Sequence, residues 1–163
     1  MHWSTVFAIV ALGLGVRTAS GQSAPPRKVT ASLERVFGRE LQVDSIVPDS
    51  AVVIRARRGE LLLGYAVVRN AMGKDQPITY LVAVDSSLAL LDVDILVYRE
   101  SYGGEVAYEP WRRQFRGRRP GDALEVGRGV RGISGATISV NAVTAGIRRT
   151  LSDFAAWRKA SLL

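Results

Sequence analysis

ELLLGYAVVRNA (residues 60–71) and QPITYLVAVDSS (76–87) decide the fold. Both are rich in Val, Leu, Ile and Tyr, both alternate in part with polar or small residues, and Gly73-Lys74 supplies a turn between them, so they predict two antiparallel strands. AVVIRARRG (51–59) before them and LALLDVDILVYRES (88–101) after them carry the same pattern, with Arg58-Gly59 as a second turn. Segments this close in sequence pair as hairpins, which gives a meander of about four strands that needs helices packed on it for stability. TASLERVFGREL (30–41) supplies one, with Leu33, Val36, Phe37 and Leu41 at helical spacing and Gly38 near its end. A second follows from Ser139 onward, where Val140, Val143, Ile147, Leu151 and Phe154 keep the 3- and 4-residue step. The fold class is α+β, an antiparallel sheet with amphipathic helices on it.

The chain has 163 residues and is 47% hydrophobic, enough for one domain with a proper core. Residues 1–21 open with an apolar run from Val6 to Val16, followed by small residues including Ala19 and Gly21, the layout of a secretory signal peptide. That run is shorter than the ~20 apolar residues a membrane-spanning helix needs. The expected organisation is a signal peptide at 1–21, a Pro-rich linker at 22–29 and a single domain at 30–163. The expected location is beyond the cytoplasmic membrane, in the periplasm or on the membrane's outer face.

Cysteine is absent, and the single histidine, His2, lies in the signal segment. Disulfides, thiolate metal sites and Cys nucleophiles are excluded, and so is a histidine base for a Ser nucleophile in the mature domain. No catalytic or metal-ligating set emerges from the side chains themselves. The net charge is +7, with seven arginines from Arg112 to Arg131 against Asp122 and Glu125. Such a cluster suits an acidic partner, a membrane surface or nucleic acid, or is simply a solvated face; a signal peptide argues against nucleic acid.

GISGATISVNAV (132–143) joins a run of small residues to the start of the last helix. Its Ser and Thr side chains suit a helix cap. The same free backbone N–H groups and the positive end of the helix dipole suit a phosphate, which small residues allow to come close. Ahead of it, YGGEV (102–106) reads as a loop, and PWRRQFRG (110–117) as a short helix starting at Pro110, with Trp111 and Phe115 one turn apart as core residues.

SGAT (134–137), followed by Ile138-Ser139 and NAV (141–143), resembles the FMN-binding domain of the flavin subunits of the sodium-pumping NADH:quinone oxidoreductase and the Rnf complex, found also in exported bacterial redox proteins. YRESYGGEVAYEPWRRQFRG (98–117) resembles that family's second segment, a glutamate and glycine turn ahead of a W-x-x-Q-F-x-G helix. The likeness covers roughly residues 60–155.

The resemblance implies FMN as cofactor, joined through its phosphate to the hydroxyl of Thr137, with Ser134, Gly135, Ala136 and Ser139 around it and Glu100, Tyr102, Gly103 and Gly104 on the loop facing the flavin ring. It also implies an FAD:protein FMN transferase that attaches the flavin, redox partner proteins of a respiratory or extracytoplasmic chain, and possible membership of a membrane complex. The family has an aspartate three residues before Ser134; this chain has Arg131. A permanent cation there replaces the usual element of transferase recognition and can instead pair with phosphate, so noncovalent FMN or a matched transferase are the alternatives. The leading expectation is an electron carrier. The others are a flavin-free module that docks a partner through its arginine face, and a flavin-dependent reductase with its own substrate.

Overall fold

The computed structural model describes residues 26–163. The expected signal peptide lies outside the described residues. Five strands run as an antiparallel meander in the order of the chain: β1 (Gln42–Ile46), β2 (Val53–Arg58), β3 (Leu61–Met72), β4 (Pro77–Asp85) and β5 (Leu90–Val97). Helix α1 (Pro26–Phe37) precedes them; a short helix α2 (Glu109–Arg112), a parallel pair β6 (Glu125–Val126) and β7 (Gly129–Val130), and the long helix α3 (Thr137–Lys159) follow.

The four strands expected from the hydrophobic alternation are present as β2 to β5, and a fifth, β1, is added at the edge. The first helix begins at Pro26 instead of Thr30, so residues 26–29 form its first turn, where proline's fixed φ is tolerated. It stops at Phe37 because Gly38 takes φ +89 and its N–H closes onto Glu34 O at 2.9 Å. The helix expected over 110–117 is shorter: α2 ends at Arg112 and tightens into a 3-10 turn, Arg113–Phe115.

Helices cover both faces of the sheet. Successive residues of β3 and β4 point to opposite sides, so Tyr65, Val67, Ile78, Tyr80, Val82 and Val84 face α3, and Ala66, Val68, Leu81 and Ala83 face α1. The α3 side is the larger core, closed by Val140, Val143, Ile147, Leu151, Phe154 and Trp157 of the helix. Phe154 packs edge-on to Trp157 at 5.5 Å between ring centroids. Gly146, in mid-helix, leaves the space filled by the Tyr80 hydroxyl, which a Cβ would overlap. Burial in this layer pushes the Tyr80 phenol up to about 12.

A buried ion network ties α2 to the opposite layer. The Arg112 guanidinium donates to Val93 O and to Ala107 O (2.8 Å) and lies 3.4 Å from Asp92 Oδ2 and 3.5 Å from Asp94 Oδ1. Arg35 of α1 reaches the same two carboxylates at 3.1 and 3.0 Å, and Arg116 reaches Asp92 at 3.4 Å. Asp92 is 5% exposed, and this shell of guanidinium donors is what makes a buried carboxylate tolerable there.

Candidate functional site

Two segments about thirty residues apart in sequence meet at the N-terminus of α3. On one side, the chain leaves β5 at Val97 and turns through Tyr98, Glu100, Ser101, Tyr102, Gly103 and Gly104 into a 3-10 turn, Gly104–Ala107. On the other side, Ser134 and Gly135 lead through Ala136 into α3. Between them lies an open cleft of about 310 Å³ lined by Tyr98, the 100–105 loop, Tyr108 and Gly135. That is at the lower end of the ~300–1,000 Å³ of small-molecule sites.

The helix end is built to receive an anion. Its N-cap is Ala136, so no side chain caps it, and the N–H groups of the first turn point outward from a 23-residue helix. Gly135, at φ +82 with open space where a Cβ would be, makes the turn that exposes them. Ser134, Gly135 and Thr137 are exposed, whereas Ala136 and Ser139 are buried.

The opposite wall is aromatic. Tyr102 is 84% exposed and Tyr108 64%, so both rings are open to a ligand. Tyr98 stands between the walls: its hydroxyl donates to Tyr102 O and lies 2.8 Å from Ser139 Oγ. Glu100 lines the cleft, but its carboxylate is engaged elsewhere: Oε1 accepts from Asp75 N at 2.8 Å and Gln76 N at 3.1 Å. Those two bonds, in that order, hold its pKa below the ordinary value of 4.5. Glu100 thus braces the β3–β4 turn against the site loop.

Arg131 is not among the residues that line this cleft, and its backbone is clamped. Gln114 Oε1 accepts from Arg131 N at 2.8 Å, Gln114 Nε2 donates to Arg131 O at 3.4 Å, and Trp111 Nε1 donates to the same carbonyl at 2.9 Å. The spacing of Trp111 and Gln114, one helical turn apart, serves to fix the segment that leads to Ser134. Trp111 is buried against Phe115, ring centroids 5.0 Å apart, as expected of core residues. The Arg131 side chain itself is exposed.

The arginine-rich stretch is less of a free surface than its charge implies. Arg112 and Arg116 belong to the Asp92 network, Arg118 donates to Gly129 O (2.9 Å), and Arg119 donates to Ser87 O (3.2 Å). Arg113, Arg128 and Arg131 remain exposed. Residues that sequence reasoning did not select are Tyr98 and Tyr108. Their signal was their place in the tyrosine-rich segment 98–108, but which tyrosine faces the helix end depends on the turn after β5.

Residues 73–152 match the family model of the FMN-binding domain. The chain carries an FMN-binding domain. The matched segment opens at the β3–β4 turn and ends inside α3, so it contains both cleft walls. No curated protein matches the chain.

FMN is therefore the cofactor, and the residues present fit it: uncapped N–H groups and exposed hydroxyls for the phosphate, and open aromatic rings beside them for the flavin. Glu105 also lines the cleft, so the helix end and its N–H donors are what offset a phosphate's charge. Among the described residues there is no cluster of side chains suited to a metal ion, and no helix long and apolar enough to cross a membrane.

Proposed function

We propose that this domain is an exported electron carrier whose FMN is esterified through its phosphate to Thr137 and which passes electrons between redox partner proteins on the outer side of the cytoplasmic membrane. One observation carries the attachment site. Of the hydroxyls on the first two turns of α3, Thr137 is exposed at the uncapped end, while Ser139 and Thr144 are buried at 4% and 2% exposure. A transferase can reach Thr137 without unfolding the helix.

In the attachment step, the Thr137 oxygen would bond to the flavin-side phosphorus of FAD as the pyrophosphate P–O bond breaks, with AMP leaving on the bridging oxygen and the hydroxyl proton released. When bound, FMN supplies one- and two-electron redox chemistry. The chain's own residues do the rest: first-turn N–H groups of α3 hold the phosphate, Ser134 adds a hydroxyl donor, and Tyr102 and Tyr108 offer faces for the ring. A domain without cysteine, and with no histidine after His2, needs no proton-transfer side chain for that role.

Arg131, exposed three residues ahead of Ser134, is a permanent cation available to pair with the phosphate. The test is co-production with an FAD:protein FMN transferase. Wild-type protein should remain yellow after denaturation, and Thr137→Ala should release any flavin on denaturation. A colourless wild-type protein from a transferase-competent host would overturn the carrier reading in favour of a flavin-free docking module.

A further inference from the structure

We propose that Tyr98 is a positioning residue that locks the two walls of the flavin cleft together through its single hydroxyl; the flavin part of this inference rests on the reading above. Proton inventory fixes the direction of each bond. Tyr102 O is a carbonyl and only accepts, so the one proton of Tyr98 goes to it. In the 2.8 Å contact between Tyr98 Oη and Ser139 Oγ, the serine must then donate. The chain of bonds runs Ser139 to Tyr98 to Tyr102 O, from the first turn of α3 to the backbone of the loop.

The backbone between them is shaped around this link. Gly103 is buried at φ +89, and a Cβ there would lie 2.7 Å from Tyr98 Oη and 2.8 Å from Ser139 Oγ. Glycine is therefore required twice over, by conformation and by space. Gly104 follows with its Cβ position 3.7 Å from the Tyr98 ring. The Ser139 proton is committed to Tyr98, so Ser139 serves as a strut between walls and not as a phosphate donor; the phosphate is left to backbone N–H groups and Ser134.

Two measurements separate this proposal from the carrier reading. In flavin-free protein, amide hydrogen exchange of residues 101–105 should speed up about fivefold in Tyr98→Phe, the factor that loss of one ordinary hydrogen bond carries. Exchange in β3 and β4 should be unchanged, which distinguishes a local link from a general loss of stability. Ser139→Ala should reproduce part of that effect. In protein loaded by the transferase, iodide should quench the flavin fluorescence of Tyr98→Phe several-fold more effectively than that of wild type, at equal covalent loading by mass. Unchanged loop exchange in Tyr98→Phe, or faster exchange with unaltered iodide access, overturns the proposal. Failure of wild-type protein to load flavin overturns the carrier reading alone, and the exchange measurement still decides the link.

Discussion

The two segments that carry the family likeness play opposite parts. In 111–117 the rings of Trp111 and Phe115 are buried and the polar groups of Trp111, Arg112 and Gln114 are bonded. In 134–137 no side chain caps the helix end and three of four residues are exposed. The first is a clamp, and the second is a site it presents. Helix α3 divides in the same way, open at its first turn and packed against the sheet from Val140 on. A polar motif is structural where its partners lie within the fold, and functional where they are missing from it.

The contrast predicts a large stability effect at the clamp. Trp111→Ala removes a buried ring and the donor to Arg131 O, and should cost about 3–5 kcal/mol in a urea melt, as for other buried aromatics. A loss below about 1 kcal/mol would erase the distinction between the two segments. Next is the packed part of α3. Gly146→Ala forces a methyl against the Tyr80 hydroxyl and should cost about 1–3 kcal/mol, with much of the loss recovered in the Tyr80→Phe background. If the double variant is as unstable as the two changes added, the overlap is not the cause.

Tyr80 also makes the packed layer sensitive to alkali. Its folded pKa, about 12, lies above the ordinary 10, so the stability it confers is present below pH 10 and is lost as pH rises from 10 towards 12. Tyr80→Phe should flatten that part of the stability profile.

At the site the expected costs to the fold are small. Thr137→Ala deletes one exposed hydroxyl that makes no cap and should lower stability by at most about 1 kcal/mol while abolishing covalent flavin. Glu100 has a depressed pKa, so its bracing of the β3–β4 turn holds above 4.5 and is released as pH falls through its lower folded value. The amide resonances of Asp75 and Gln76 should move together in that acid range, and Glu100→Gln should remove the titration.

Much of this was legible in the sequence. Alternation gave β2 to β5, and helical spacing gave α3, because each buries a long regular stripe. Strand β1 escaped notice because it is an edge strand with only Val43 and Ile46 apolar, and it pairs with β2 alone. The end of α2 was misplaced because Arg112 turns inward to Asp92, a tertiary attraction that no local pattern reveals. At the site, the small residues before α3 were readable as an anion end from composition and capping rules. That Tyr98 faces Ser139, and that Glu100 turns away to Asp75 and Gln76, depends on where the chain goes after β5. The partners of the arginine cluster were not legible for the same reason, since four of its members answer carboxylates and carbonyls of the fold itself.

The central claim is that Thr137 is the hydroxyl that carries the flavin. It is tested most directly by peptide mapping of protein co-produced with an FAD:protein FMN transferase. Cleavage after arginine releases the peptide from Gly132 to Arg148, which contains Ser134, Thr137, Ser139 and Thr144. This account predicts that peptide heavier by one FMN less one water, with fragmentation placing the added mass on Thr137 and Thr137→Ala carrying none. The added mass on Ser134, Ser139 or Thr144, or its persistence in Thr137→Ala, would contradict it.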